Sequence, residues 1–363
     1  MIAGRSRPAS PAPDSAPDGA ADRAPHYVSD EEPGITRRRA GRGWSYRDPS
    51  GRIIRDRAVL DRIRALAIPP AYADVWICPS PLGHIQATGR DARGRKQYRY
   101  HAAFRSARDD AKFGHLLDFA NALPRIRAAV EAHMARRGLP RDKVLATIVH
   151  LLEATMIRVG NADYARRNQS YGLTTLHCRH VRLDGHDLRF RFRGKSGRIW
   201  RLKLTDRRVA RIIRQCQDLP GQKLFQYVDD EGAQCGISSG DVNDYLRKIS
   251  GACVTAKDFR TWTGTVLAAT ALAALPAVDC PADAKRNLAT VMSGVAAQLG
   301  NTAAVCRSGY VHPQVIESYL AGALALPPAG RRADPWLSAG ERAVIAFLLA
   351  GKGKSRKGGR GAG

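Results

Sequence analysis

The period of the apolar pattern changes near residue 104, which limits the chain to folds that keep sheet and helix in separate regions. From Tyr27 to about His101 the pattern is short and broken by turns. Asp48-Pro49-Ser50-Gly51 is a turn signal, with Trp44-Ser45-Tyr46 before it and Ile53-Ile54 after it. Val75-Trp76-Ile77-Cys78 and His84-Ile85-Gln86-Ala87-Thr88 flank Pro79 to Gly83 as the arms of a hairpin would, and Lys96 to His101 reads as a further strand. One short helix is expected near Val59 to Leu66.

After Phe104 the spacing is helical. Leu123 to Arg137 alternates apolar and basic residues at helical intervals. Asp142 to Arg158 puts Val144, Ile148, Leu151, Leu152 and Thr155 on one face, with Gly160 as its stop. One hairpin interrupts this region: Leu188, Phe190 and Phe192 alternate with Arg189, Arg191 and Arg193, Gly194-Lys195-Ser196-Gly197 turns the chain, and Arg198 to Leu204 returns. Further helices are expected at Arg207 to Gln217, Ser239 to Ser250, Thr261 to Leu275, Ala282 to Leu299, Pro313 to Ala321 and Ser338 to Leu349, and no internal repeat is visible. The expected fold class is α+β, with a small antiparallel β-rich N-terminal domain at 27–103 and a mostly α-helical domain at 104–330 that contains a β-hairpin. Residues 1–26 are rich in Ala, Pro, Ser and Asp and read as a disordered tail; 331–363 reads as a last helix and a basic disordered tail. In that tail Lys352, Lys354, Arg356, Lys357 and Arg360 stand among glycines without an acid, which suits either a phosphate hold or a solubilising end.

The formal net charge is +26, from 59 basic against 33 acidic residues in 363, and such self-repulsion is tolerable when a polyanion is the usual partner. Nucleic acid is the first candidate. An anionic membrane surface is the second, but no polybasic amphipathic helix with an aromatic face is present. No apolar run approaches the roughly 18 residues of a membrane span, and the N-terminus lacks the apolar core of a secretion signal. The seven cysteines are scattered and never form a C-x-x-C pair, as expected of reduced thiols in a cytosol. The expected location is therefore the cytoplasm, at the nucleoid.

Several segments carry residues suited to phosphodiester chemistry. Arg90-Asp91-Ala92-Arg93-Gly94-Arg95-Lys96-Gln97-Tyr98-Arg99-Tyr100 is dense in cations, with Gln97, Tyr98 and Tyr100 as hydrogen-bonding partners for backbone oxygens or base edges. Charges also protect an edge strand, but in so basic a chain nucleic-acid contact is favoured. Arg158 falls at a helix end, where the helix dipole alone would favour a cation, and close to a change of chain direction. Lys195 sits at a hairpin tip between glycines, from which a flexible ammonium can reach into a groove and protonate a leaving alkoxide. A P-loop is rejected there: its first glycine would stand at 189, which is Arg189, and no helix follows. Arg260 lies at the start of a helix whose Thr255 and Asp258 have capping-box spacing, a good place to meet a phosphate. His177, Cys178 and His180 match no zinc spacing, and no acidic cluster suits a two-metal nuclease, so no metal is expected.

Tyr310 closes the run Leu299-Gly300-Asn301-Thr302-Ala303-Ala304-Val305-Cys306-Arg307-Ser308-Gly309-Tyr310. With Ile157-Arg158-Val159-Gly160, Gly194-Lys195 and Lys257-Asp258-Phe259-Arg260-Thr261 upstream, and Leu66-Ala67-Ile68-Pro69-Pro70-Ala71-Tyr72, Asp74 to Pro79 and Gly83 to Tyr98 in the N-terminal part, the chain resembles the small type IB DNA topoisomerases of poxviruses and bacteria. The match runs in order from about Trp44 to Leu320. The resemblance implies a catalytic domain like that of tyrosine recombinases and a duplex-DNA substrate. It implies that Tyr310 is the nucleophile forming a 3′-phosphotyrosyl bond, that Arg158 and Arg260 stabilise the transition state, and that Lys195 is the general acid. It also implies DNA contacts by Arg90, Arg93, Arg95, Lys96, Gln97, Tyr98, Tyr100 and Lys257, no cofactor, no metal and no ATP, and a monomer that clamps DNA. There is one departure. The viral and cellular enzymes carry a histidine nine residues before the tyrosine; here the residue is Asn301, which can donate the same hydrogen bond to phosphate but cannot become cationic. Asn301 would also serve as a helix cap. A tyrosine recombinase is the alternative, but its H-x-x-R box is Lys257-x-x-Arg260 here and its N-terminal domain is usually helical. A non-catalytic nucleoid protein would leave the four motifs unexplained.

Overall fold

The computed structural model describes residues 24–278, 280–328 and 334–358. Two compact units divide the chain, Met1–Ala111 and Lys112–Gly363. The first holds β1 (Ile35–Ala40), β2 (Gly43–Arg47), α1 (Arg57–Ala65), β3 (Ala73–Ile77), β4 (Ile85–Arg90) and β5 (Lys96–Tyr100), and α2 (Ala102–Gly114) begins in it. The strands form one antiparallel sheet in the order β2-β1-β3-β4-β5. Its small core is Ile35, Val75, Ile77 and Ala87, closed by Ile63 of α1. Asp56 caps α1 by accepting from the Ala58 and Val59 amides at 2.8 and 3.4 Å, the usual device for the free N–H groups of a first turn.

Two expectations in this unit need correction. β1, with Arg37, Arg38 and Arg39, was not expected as a strand, yet it lies inside the sheet, between β2 and β3. Arg37 makes this possible by turning its guanidinium onto main-chain carbonyls, that of Tyr72 at 2.6 Å and that of Pro69 at 3.2 Å. The Asp48 turn forms, with the Asp48 carboxylate accepting from the Ser50 and Arg52 amides at 2.9 Å each, but the segment after it adds only the bridge Arg47↔Ile53. Residues 1–23 of the expected N-terminal tail lie outside the described residues; its last residue, His26, is bound as a strand residue would be, its amide donating to Leu82 at 3.0 Å and its carbonyl accepting from His84 at 2.8 Å.

The second unit is mostly helical: α3 (Leu116–Met134), α4 (Arg141–Thr155), α5 (Ala162–Asn168), then β6 (Val181–Asp184), β7 (Asp187–Arg193) and β8 (Ile199–Thr205), α6 (Arg207–Gln217), the short β9 (Gln226–Val228) and β10 (Gln234–Gly236), α7 (Ser239–Ser250), α8 (Ala256–Ala273), α9 (Pro281–Leu299), α10 (Ala303–Gly309), α11 (Pro313–Leu320) and α12 (Ala339–Gly358). One continuous core runs through it, with α3, α4 and α8 among its central members. The expected hairpin is present as β7 and β8, with β6 added on the other side of β7. Leu188, Phe190 and Phe192 are buried and the intervening arginines exposed, as period-two alternation requires. α3 starts well before Leu123, because Pro124 is accommodated inside the helix and does not begin it. α4 ends at Thr155, where Met156 takes the left-handed conformation (φ 56°), so Arg158 lies beyond the helix and not in its last turn. α12 runs past Leu349 to Gly358, into the expected tail. Residues 329–333 and 359–363 lie outside the described residues.

Candidate active site

Three separate segments meet at the N-terminal half of α8. Thr255 is the N-cap of this helix, and the Asp258 carboxylate three residues on accepts from its amide at 2.8 Å and its hydroxyl at 2.9 Å, at the expected capping-box positions. One turn in, Arg260 is 3% exposed. Its guanidinium donates to the Met156 and Leu299 carbonyls, each two residues before a candidate site residue, Arg158 and Asn301. Arg260 therefore clips the end of α4 to the end of α9. Its Nε is buried without a partner among the described residues.

Arg158 follows in extended chain, held by its carbonyl, which accepts from the Leu173 amide at 2.9 Å. Its guanidinium donates to the Asn301 side-chain carbonyl. Asn301 thus spends its acceptor on Arg158, and its buried amide nitrogen has no strong acceptor among the described residues, only the weak one of the buried Cys306 thiol. The cap of α10 is Thr302, whose hydroxyl accepts from Val305, so Asn301 is not the cap.

Tyr310 is the C-cap of α10, its amide donating to Cys306 at 2.9 Å. The backbone of Tyr310 lies directly on α8: a Cβ built on Gly264 would stand 2.6 Å from the Tyr310 carbonyl oxygen, so only glycine permits this approach. The next residue, Thr265, donates its hydroxyl proton to the Thr261 carbonyl at 2.8 Å, lies 3.4 Å from the Tyr310 carbonyl and accepts from the His312 amide at 3.1 Å. The half-buried phenol ring has the Arg260 Cζ 5.3 Å from its centroid and the Lys112 Nζ at 5.7 Å. Burial pushes the phenol up, but the charges of Arg260 and Arg158, a hydrogen bond with Arg260 and, least, the charge of Lys195 outweigh it and hold it below the usual phenol value. Among the described residues no acid pairs with Arg158 or Arg260.

The structure therefore brings Arg158, Arg260, Asn301 and Tyr310 together, with Lys195 exposed on the turn between β7 and β8. Lys257 is exposed at the start of α8. Gly264, Thr265 and Lys112, which donates to the Gly309 carbonyl, were not anticipated. His177 and His180 stack on one another (5.2 Å, 23°), and Tyr171 meets the first edge-on and the second at a tilt. Burial, with His177 and Arg179, pulls His180 down to about 4.

The other expected contacts lie in the first unit, on β4, β5 and the turn between them. Arg90 pairs with Asp74 at 3.4 Å, Arg95 with Asp91 at 2.6 Å and Lys96 with Asp30 at 2.5 Å. Arg93 is exposed on the turn, which Asp91 organises by accepting from the Arg93 and Arg95 amides at 3.0 Å each and from Gln97 at 3.0 Å. The Arg95 hydrogen bond, outweighing burial, pulls the Asp91 carboxyl down to about 2. Tyr98 and Tyr100 stack at 6.0 Å and 12°.

A phenol held beside guanidiniums is suited to attack on a phosphate diester. Comparison with known proteins fits this class. A family model described as "Eukaryotic DNA topoisomerase I, catalytic core" matches residues 101–325, and one described as "Bacterial DNA topoisomerase IB, N-terminal domain" matches residues 43–91. The DNA topoisomerase 1B of Acanthamoeba polyphaga mimivirus is 33% identical over 269 residues, which is 72% of this chain and 80% of the viral one. The DNA topoisomerase 1B of vaccinia virus (strain Copenhagen) is 26% identical over 151 residues, 37% of this chain and 46% of its own. The chain belongs to the type IB DNA topoisomerases, and it is an isomerase whose substrate is DNA. Among the described residues no helix is long and apolar enough to cross a membrane.

Proposed function

We propose that the enzyme relaxes positive and negative supercoils through a transient 3′-phosphotyrosyl bond made by Tyr310. The phenol gives up its proton to solvent as its oxygen forms a bond to phosphorus, and the bond from phosphorus to the 5′-oxygen breaks. Lys195 gives its proton to that oxygen as it leaves. The freed strand rotates, and the 5′-hydroxyl returns along the same path, releasing the phenol. A free phenol, with a pKa of about 10, is a poor nucleophile at neutral pH; the two guanidiniums lower that barrier and offset charge gathering on the phosphate oxygens. Asn301 donates its amide to a non-bridging oxygen, a role for which a neutral group suffices. One phosphoester replaces another, so the cycle needs neither ATP nor a metal ion.

The observation that carries this reading is the Tyr310 phenol beside Arg260, with Arg260 Nε and Asn301 Nδ2 both buried and without a strong acceptor among the described residues. Buried donors normally have partners, and an incoming phosphate supplies them. On this reading the helical region at 104–330 is the catalytic domain shared with the tyrosine recombinases. The β-rich region at 27–103, through Arg90 to Tyr100, grips the duplex, with Lys257 adding a phosphate contact, and a single chain clamps the DNA. The deciding test is relaxation of plasmids of both signs in EDTA without ATP, by wild type and by Tyr310→Phe. Relaxation by wild type alone is expected. Relaxation by Tyr310→Phe, or a requirement for metal, would refute the mechanism.

A further inference from the structure

Lys195 has an exacting task and little visible support. It is exposed on a one-turn segment in which Ser196 is left-handed (φ 62°), and among the described residues its ammonium makes no hydrogen bond or ion pair. A general acid must nevertheless come within about 3 Å of the oxygen it protonates. Its placement must therefore come from beneath.

Beneath the turn lies Trp200, on the inward face of β8. The two ends of its indole meet two different glycines. A Cβ built on Gly194 would stand 2.6 Å from Trp200 Cδ1 and Nε1, and one built on Gly300 would stand 2.5 Å from Cζ2. Gly194 immediately precedes Lys195, and Gly300, left-handed at φ +61°, immediately precedes Asn301. The indole thus spans from the lysine turn to the asparagine segment with no room for a methyl at either end. Phe192 supports it from the paired strand, its ring parallel to within 2° at a centroid distance of 6.2 Å. A second tie runs the same way: Arg198, just after the turn, donates to the Ala297 carbonyl near the end of α9 at 3.5 Å.

We propose that Trp200 is the positioning residue for Lys195, setting the reach of the lysine turn relative to Asn301 and the phosphate it would hold. The proposal rests on the reading of Lys195 as general acid. It makes the indole a strut of fixed length between the group that protonates the leaving oxygen and the group that binds a non-bridging oxygen. Displacement by about 1 Å in such an arrangement costs up to about 100-fold in rate.

The test is a double-mutant cycle on single-turnover cleavage of a duplex whose cut end diffuses away, using Trp200→Ala, Lys195→Ala and the double variant. Trp200→Ala is expected to slow cleavage by about 10- to 100-fold, and the double variant to be no slower than Lys195→Ala. Trp200→Phe, whose shorter ring reaches one glycine only, should lose less and be equally silent without Lys195; it carries the cycle if the alanine variant unfolds. A Trp200 loss that appears in full in the Lys195→Ala background would make the indole a packing residue only and overturn the proposal. Lys195→Ala cleaving at the wild-type rate would remove the general acid itself and the proposal with it, while leaving Tyr310 as nucleophile untouched.

Discussion

Two arginines of the helical unit, Arg127 partly buried and Arg260 buried, are satisfied in opposite ways. Arg127, on α3, lies among acids: its Nε donates to Glu153 at 2.9 Å, and its Nη atoms donate to Glu341 at 3.0 and 2.7 Å. Glu341 also accepts from the Trp262 indole at 2.9 Å and the Ser338 amide at 2.8 Å. Charge is cancelled there, and the cluster pins α12 to α3 and α8. Arg260, only two residues from Trp262, meets carbonyl oxygens and a phenol, and its charge is left uncancelled. The first arrangement is complete as it stands. The second lacks an anion, and that difference marks the site more sharply than the presence of arginine does.

Substitution can widen or erase the contrast. Arg127→Ala should cost about 3–5 kcal/mol of stability, because Glu341 would be left buried and unpaired, while whatever enzyme folds should cleave at nearly the wild-type rate. Thermal melts beside single-turnover cleavage would check this; a large rate loss at full stability would contradict it. Arg260→Ala should instead lower cleavage by about 100- to 1,000-fold. Arg260→Lys should not recover it, since an ammonium cannot clip two carbonyls and face a phosphate in one plane.

A third test uses acid. Burial pushes the Glu341 carboxyl up, but Arg127, the Ser338 amide and Trp262 more than offset this and hold it below the usual carboxylate range. A lowered carboxylate stabilises fully above its unfolded pKa of about 4.3, and that contribution fades as pH falls through the folded value. Melting temperature should therefore drop below about pH 4, and Glu341→Gln should flatten that drop from a lower starting point. An identical acid limb in both proteins would show that the cluster is not responsible.

The smallest effect is expected in the first unit. There the arginines are exposed and lightly held by Asp74 and Asp91, pairs of little net worth that phosphates can displace. Replacing Arg95, Lys96 or Arg99 by alanine should reduce the log–log salt slope of DNA binding by about 0.9 per lost phosphate contact. An unchanged slope would remove that residue from the interface.

What could be read from the residues alone follows the range of the forces involved. The hairpin at 187–204 was legible because alternation is local, and the capping box at Thr255 and Asp258 because its partners are three residues apart. β1 was not, since three consecutive arginines resemble a surface loop until Arg37 finds carbonyls more than thirty residues on. The stop of α4 was placed at Gly160 because glycine is the usual C-cap, but Met156 takes the left-handed turn instead. At the site, the family resemblance named Arg158, Lys195, Arg260 and Tyr310, yet gave no sign that Arg260 is buried or that it joins two segments. Lys112 reaches Gly309 across 197 residues, and Trp200 touches Gly300 from another element altogether. No local pattern records such contacts.

The Glu341 cluster separates two ideas of a boundary. Likeness to the topoisomerase catalytic core ends at residue 325, yet the carboxylate that balances Arg127 and holds the Trp262 indole arrives sixteen residues later, on α12. A chain trimmed to the recognisable core would keep every candidate catalytic residue while stranding a charge behind the helix that carries Arg260. Here the span that the catalytic-core family model matches is shorter than the compact unit it belongs to.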